Sequence, residues 1–424
     1  MKTIALLTGS FPPVNIVGAL RPFRLAKHLG RAGWRVLVMT HPPKPEQSLD
    51  KELLNELDPS CEILYVTRPE NVQRKSSQLK RRALGTTREY LQKIIRPDLD
   101  VLHIPAFISA FRTAFQQQAV DVLLTTSPTH SIHLAGLFIK KQFNLPWIVD
   151  FRDPWDDYII TGSADIRHPV ERYLEKKVVR NASALISTTK TYSRILSNRH
   201  PDVDRDIFFT VTNSFCSEKI PQDSVKSKDK FIICYTGIFY PSKDPYEFFR
   251  ALCRWFDKLP LYEREYYRSI LEIHLIGSGD RATREIIKKL NLNDIVVFFD
   301  RMPHIRAIEH TCNADMTLIS TGLGEKTRPG WLPSKLFEYL GARVPILALI
   351  REGEMAEIIR QTNSGFIVND QIDDNLEKII KKHIDYKFRK HESVSLEEDM
   401  FQNIDTYEES NTMRKFISII KEAN

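Results

Sequence analysis

The sequence predicts an α/β protein of two lobes, each built around a parallel sheet. Three observations carry this prediction. Short apolar runs alternate with amphipathic stretches, the alternation restarts after a polar segment near residue 220, and several apolar runs end in loops rich in Gly, Pro or charge. Strand–helix alternation is the pattern of parallel sheets, which hold ligands beyond the carboxyl ends of their strands. The 424 residues suffice for two or three domains, and 42% apolar with 27% charged residues reads as globular and soluble.

In chain order, residues 4–7 read as a buried strand, 9–18 as a Gly/Pro loop and 20–29 as a helix stopped by Gly30 and Gly33. Residues 36–39 are the next strand. Runs at 122–124 and 147–149 continue the sheet around an amphipathic stretch at 133–143, and 184–186 and 208–211 finish it. Residues 216–230 have a linker composition. Strands are then expected at 231–235, 273–276, 295–299, 316–319 and 345–349, with a helix at 245–256 and a charged helical tail at 381–424. The expected organisation is a first lobe at 1–215, a linker at 216–230, a second lobe at 231–400 and a terminal helix at 401–424.

Composition narrows the function classes. Five cysteines lie far apart with no CxxC or Cys/His ligand spacing, which argues for a reducing, cytoplasmic setting and against a disulfide framework or structural zinc. No run of about 18 apolar residues occurs, so no membrane-spanning helix is expected. The net charge of 61 − 54 = +7 favours an anionic partner. Nine basic residues, from Arg68 to Arg96, face only Glu70 and Glu89, a pattern that suits an anionic membrane surface or a solvated helical insertion. No nucleic-acid-binding module is recognisable, so no nucleic-acid partner is expected.

Four constellations carry candidate chemistry. In the first, Gly18 and Arg21 follow the first strand, where a helix N-terminus and a cation can meet a phosphate, although Gly18 alone also reads as a turn glycine. The second, Asp150-Phe151-Arg152-Asp153-Pro154-Trp155, ends an apolar strand, and its charges are costly to bury unless paired or used. The third is Gly237 to Pro245, with Lys243 ahead of a helix; a lone lysine is equally a surface residue. The fourth runs from Gly330 to Gly341. Pro333 suits the first helical position and Gly341 a helix stop, Ser334 and Lys335 fall in the first turn, and Glu338 can read a ribose or simply face solvent.

Taken in order, these motifs resemble the GT-B fold, retaining glycosyltransferases of family 4, in a subgroup with an Asp-Phe-Arg-Asp-Pro-Trp motif. The resemblance spans nearly the whole chain, through residues 11–21, 127–130, 150–155, 213–215, 235–237, 243–245, 276–279 and 333–340. It implies two Rossmann-like lobes with a cleft between them and a C-terminal helix packing back on the first. Gly18 would lie against a donor diphosphate that Arg21 and Lys243 neutralise. Gly237 and the helix start at Ser334 and Lys335 would join them, Arg301 and Pro303 would flank the base, and Glu338 would bind the ribose. Arg152 and Asp153 would serve the acceptor side and, with Lys243, catalysis. Three positions depart from the family pattern: Gly330 replaces the first glutamate of E-x7-E, Ile238 an arginine and Arg152 a histidine.

The implied reaction moves a sugar from a UDP- or GDP-linked donor to a glycan or lipid-diphosphate acceptor in cell-surface polysaccharide assembly, with retention. No DxD motif ends a strand, so neither a metal nor a cofactor is expected. A non-catalytic sugar-nucleotide-binding subunit and a sugar-nucleotide epimerase are the competing readings.

Overall fold

The computed structural model describes residues 1–45, 47–67, 96–155, 168–239, 246–321, 323, 330–389 and 399–424. The chain divides into two units, Met1–Thr212 with Ser410–Asn424, and Asn213–Glu409.

The first unit has a seven-stranded sheet: β1 (Thr3–Thr8), β2 (Arg35–Thr40), β3 (Cys61–Tyr65), β4 (Val122–Thr126), β5 (Trp147–Phe151), β6 (Ala184–Ser187) and β7 (Phe208–Thr210), in the order β3-β2-β1-β4-β5-β6-β7. All pairs are parallel. Strands β1, β4 and β5 are buried along their whole length, which is why they read as unbroken apolar runs. Its helices are α1 (Val17–Arg31), α2 (Ile104–Gln117), α3 (Ser131–Phe143), α4 (His168–Val179) and α5 (Lys190–Arg199). Helix α1 begins at Val17, so Gly18 lies in its first turn and not in the preceding loop.

The second unit has a six-stranded parallel sheet: β8 (Phe231–Thr236), β9 (Leu271–Ile276), β10 (Val296–Phe299), β11 (Met316–Ser320), β12 (Ile346–Leu349) and β13 (Gly365–Val368), ordered β10-β9-β8-β11-β12-β13. Its helices are α6 (Glu247–Lys258), α7 (Leu261–Ile270), α8 (Arg281–Lys289), α9 (His304–Cys312), α10 (Ser334–Ala342), α11 (Glu354–Gln361) and α12 (Ile372–Arg389). In both sheets the strand order reverses beside the first strand, at β1/β4 and at β8/β11, which is the crevice where such sheets accept ligands.

The last helix, α13 (Glu409–Glu422), packs back on the first unit. Met413, Phe416, Ile419 and Ile420 are buried in the same cluster as Ile4, Leu6 and Val36. Helix α10 corrects two local expectations. Pro333 caps it from outside, and Gly341 lies within it, where a Cβ would fall 2.6 Å from Phe215 Cγ. The helix stops instead at Arg343, in the left-handed region at φ 52°.

Candidate functional site

In the second unit the expected donor residues gather at the carboxyl end of the sheet. Gly237 follows β8 with φ 101°, a conformation glycine favours. Its N–H donates to the Ile276 carbonyl (2.9 Å), and its carbonyl accepts from Ser278 Oγ in the Gly277-Ser278-Gly279 turn. Lys335, in the first turn of α10, places its ammonium 3.4 Å from the centre of the Tyr235 ring. A Cβ at Gly237 would sit 3.3 Å from that ammonium. The residue as a whole is partly exposed, but burial of its ammonium pulls the Lys335 pKa down to about 7, against the opposing pull of Glu338.

Glu338 lies one turn further along α10, with Oε1 2.9 Å from His304 Nε2. His304 opens α9 immediately after Pro303, so the loop carrying Arg301 and the helix carrying Glu338 meet through this pair. Sequence reasoning missed His304; the signal was a ring-bearing residue directly behind a Pro-capped helix start. Gly330 has φ 71°. A glutamate there would be strained, so the departure from E-x7-E is built into the backbone. Lys243 lies outside the described residues.

In the first unit the structure reassigns Arg21 and Arg152. Arg21 is 4% exposed, and its Nε and Nη2 bond both oxygens of the fully buried Asp150 at 2.9 and 2.8 Å. It also donates to the carbonyls of Val211 (3.0 Å) and Thr212 (3.1 Å), and Thr126 Oγ1 donates to Asp150 (2.7 Å). Arg21 is therefore a structural cation tying β5 to the chain beyond β7, and not the expected partner of a diphosphate.

Arg152 has a related task. Pro22 lies inside α1 and has no N–H to offer the carbonyl of Gly18, four residues earlier. Arg152 Nη1 donates to that carbonyl at 2.7 Å. Burial and the neighbouring Arg21 lower the Arg152 pKa. Gly18 itself has room, since a Cβ would meet nothing closer than 3.6 Å. Asp153 is half-buried and lines a small pocket with Phe151, Trp155, Glu175 and Tyr192. Glu175, at 1% exposure, is held by Arg199 (2.9 Å) and His200 (3.0 Å). Of the basic segment at 68–96, only Arg96 lies among the described residues, 3.4 Å from Glu171.

Comparison with known proteins places this geometry. Residues 20–206 match the model of the glycosyl transferase 4-like domain. Sucrose-phosphate synthase from Thermosynechococcus elongatus superposes with a TM-score of 0.70 at 14% identity, covering 100% of this chain and 99% of the other. The chain has the GT-B fold. HepE from Anabaena, in complex with UDP, matches at TM-score 0.64 and 14% identity over 100% of both chains. A UDP-N-acetylglucosamine 2-epimerase described as putative, from Listeria monocytogenes, matches at 0.60 and 12%, covering 100% of this chain and 96% of that one. No curated protein matches this sequence. Among the described residues, no helix is long and apolar enough to cross a membrane.

Proposed function

We propose that this chain is a retaining, nucleotide-sugar-dependent glycosyltransferase. The second unit holds a UDP- or GDP-linked donor, and the first takes a glycan or lipid-diphosphate-linked acceptor in cell-surface polysaccharide assembly. The observation that carries the reading is the gathering of Gly237, the 277–279 turn, Lys335 and Glu338 at one end of the second sheet. The glycine backbone and the first turn of α10 suit a diphosphate, and a positioned carboxylate suits a ribose. The glycosyl transferase 4-like match supports a transferase role for the first unit.

Catalysis would rest on stabilising charge as it builds on the leaving diphosphate, without a metal at that step. Preorganised donors of this kind are each worth about 3 kcal/mol of barrier. Lys243 and Lys335 take this part. Arg301 and Pro303 flank the base, and Asp153 orients the acceptor hydroxyl. The basic segment at 68–96 is the proposed contact with an anionic, cytoplasmic membrane face. Retention is carried over from the family resemblance.

The test is a thermal-shift screen of nucleotide sugars followed by product analysis. A UDP- or GDP-sugar should raise the melting temperature, Glu338→Ala should weaken its binding at least tenfold, and free UDP or GDP should be released only when an acceptor is present. No shift with any nucleotide sugar would sink the reading. The backbone at Gly330 favours keeping a second one, since the usual sugar-contacting glutamate cannot be there without strain. A new sugar nucleotide formed with no acceptor would identify an epimerase, and binding without turnover a non-catalytic subunit.

A further inference from the structure

We infer that His41, Asp100 and His103 form a zinc site in the first unit. This differs from the expectation of no metal, which rested on the absence of a DxD motif and of Cys/His ligand spacing.

His41 directly follows β2, and Asp100 and His103 share the short helical turn Leu99–His103. His41 Nε2 lies 3.9 Å from Asp100 Oδ2, and His103 Nδ1 lies 3.4 Å from Asp100 Oδ1. One ligand atom from each residue fits within 4.8 Å of both others. The two contacts to Asp100 exceed the length of an ordinary N–H···O hydrogen bond, about 2.7–3.2 Å. The His103 contact already matches what a shared ion needs, and the His41 contact is somewhat longer: zinc bonds of about 2.0–2.2 Å in a tetrahedron hold neighbouring ligand atoms roughly 3.3 Å apart. A small inward shift of His41 would bring its Nε2 to that distance from Asp100. Two imidazoles and one carboxylate are a donor set suited to zinc, with the fourth corner left for water. Asp100, 32% exposed, leaves that corner within reach of solvent.

The surroundings hold the ligands in place, as outer-shell partners do at metal sites. Thr129 Oγ1 donates to Asp100 Oδ2 at 3.0 Å. Asp98 accepts from the Asp100 N–H (3.0 Å) and from the Ser131 hydroxyl (2.6 Å), which ties the turn to the start of α3. Phe107 meets the His41 ring edge-on at 5.2 Å, and the two imidazole centroids are 4.4 Å apart. Strands β2 and β4, which deliver His41 and Thr129, flank β1, so the cluster lies on the ligand-accepting end of this sheet. The inference does not depend on the transferase reading.

The experiment uses the full-length chain, stripped with a chelator and dialysed against Zn²⁺. One zinc per chain is expected at low micromolar metal. His41→Ala and Asp100→Asn should each lower the affinity at least about a hundredfold, and Thr129→Val about tenfold, with unchanged circular dichroism. In the unmutated protein Co²⁺ should give the visible bands of a tetrahedral nitrogen–oxygen site. Absence of stoichiometric zinc, zinc retained unchanged in the variants, or a cobalt–thiolate charge-transfer band would each overturn the assignment.

Discussion

The buried pair of Arg21 and Asp150 shows how a residue's task depends on partners its sequence neighbourhood does not reveal. Arg21 stands where a phosphate-binding cation is expected, yet its partner is 129 residues away. Nothing local to α1 announces that contact. Removing one member of a buried ion pair leaves the other charged and unpaired, which costs about 3–5 kcal/mol. Asp150→Ala should therefore lower unfolding free energy by that order in urea melts, and a variant as stable as the parent would refute the structural role. Lys335 makes a pH-dependent prediction. Its pKa of about 7 in the folded chain lies well below that of a solvated lysine, so between pH 7 and 10 the unfolded chain binds more protons and stability rises with pH. Lys335→Met should raise the melting temperature at pH 7 by several degrees and flatten that rise. A bound diphosphate favours the charged lysine. Nucleotide affinity should accordingly fall as pH climbs above 7, with proton uptake on binding measurable by calorimetry in buffers of different ionisation heat.

At the scale of elements, what was legible followed burial. Strands such as β4 and β5, covered on both faces, stand out as apolar runs and were read correctly. Strands β3 and β13 escape the sequence reading because their apolar runs are short: Glu62 breaks the first, and the second opens at Gly365, where a Cβ would fall 2.1 Å from the Ile346 carbonyl oxygen. The extra turn at the start of α1 escapes the sequence reading because Gly18 reads as a loop residue. The coupling of Pro22, Gly18 and Arg152 can be tested directly. In the parent, Arg152 supplies the hydrogen bond that proline cannot. Pro22→Ala restores a backbone N–H four residues beyond Gly18, so Arg152→Met should cost less in that background. A double-mutant cycle should give a coupling of about 0.5–2 kcal/mol. Strict additivity would show that the guanidinium is not compensating for the proline.

For the whole molecule, the two units differ in how the chain closes them. The second unit is continuous, from Asn213 to Glu409, and contains its own large apolar cluster, from Phe231 to Ile384. The first is discontinuous and needs Ser410–Asn424 to complete it. Met413, Phe416, Ile417, Ile419 and Ile420 are each no more than 9% exposed, and Arg21 lies 5.6 Å from the Phe416 ring centre. At about 1.5–3 kcal/mol for each buried side chain, those five contribute on the order of 10 kcal/mol, comparable to the net stability of a typical domain. A fragment of residues 1–212 should therefore be aggregation-prone or lack a cooperative melt, while residues 213–409 alone should unfold in one cooperative transition. Joining residues 410–424 to the first fragment through a flexible linker should restore its melt, because the missing piece is core and not connection. A fragment 1–212 that melts cooperatively without them would mean that the last helix covers a surface already stable on its own.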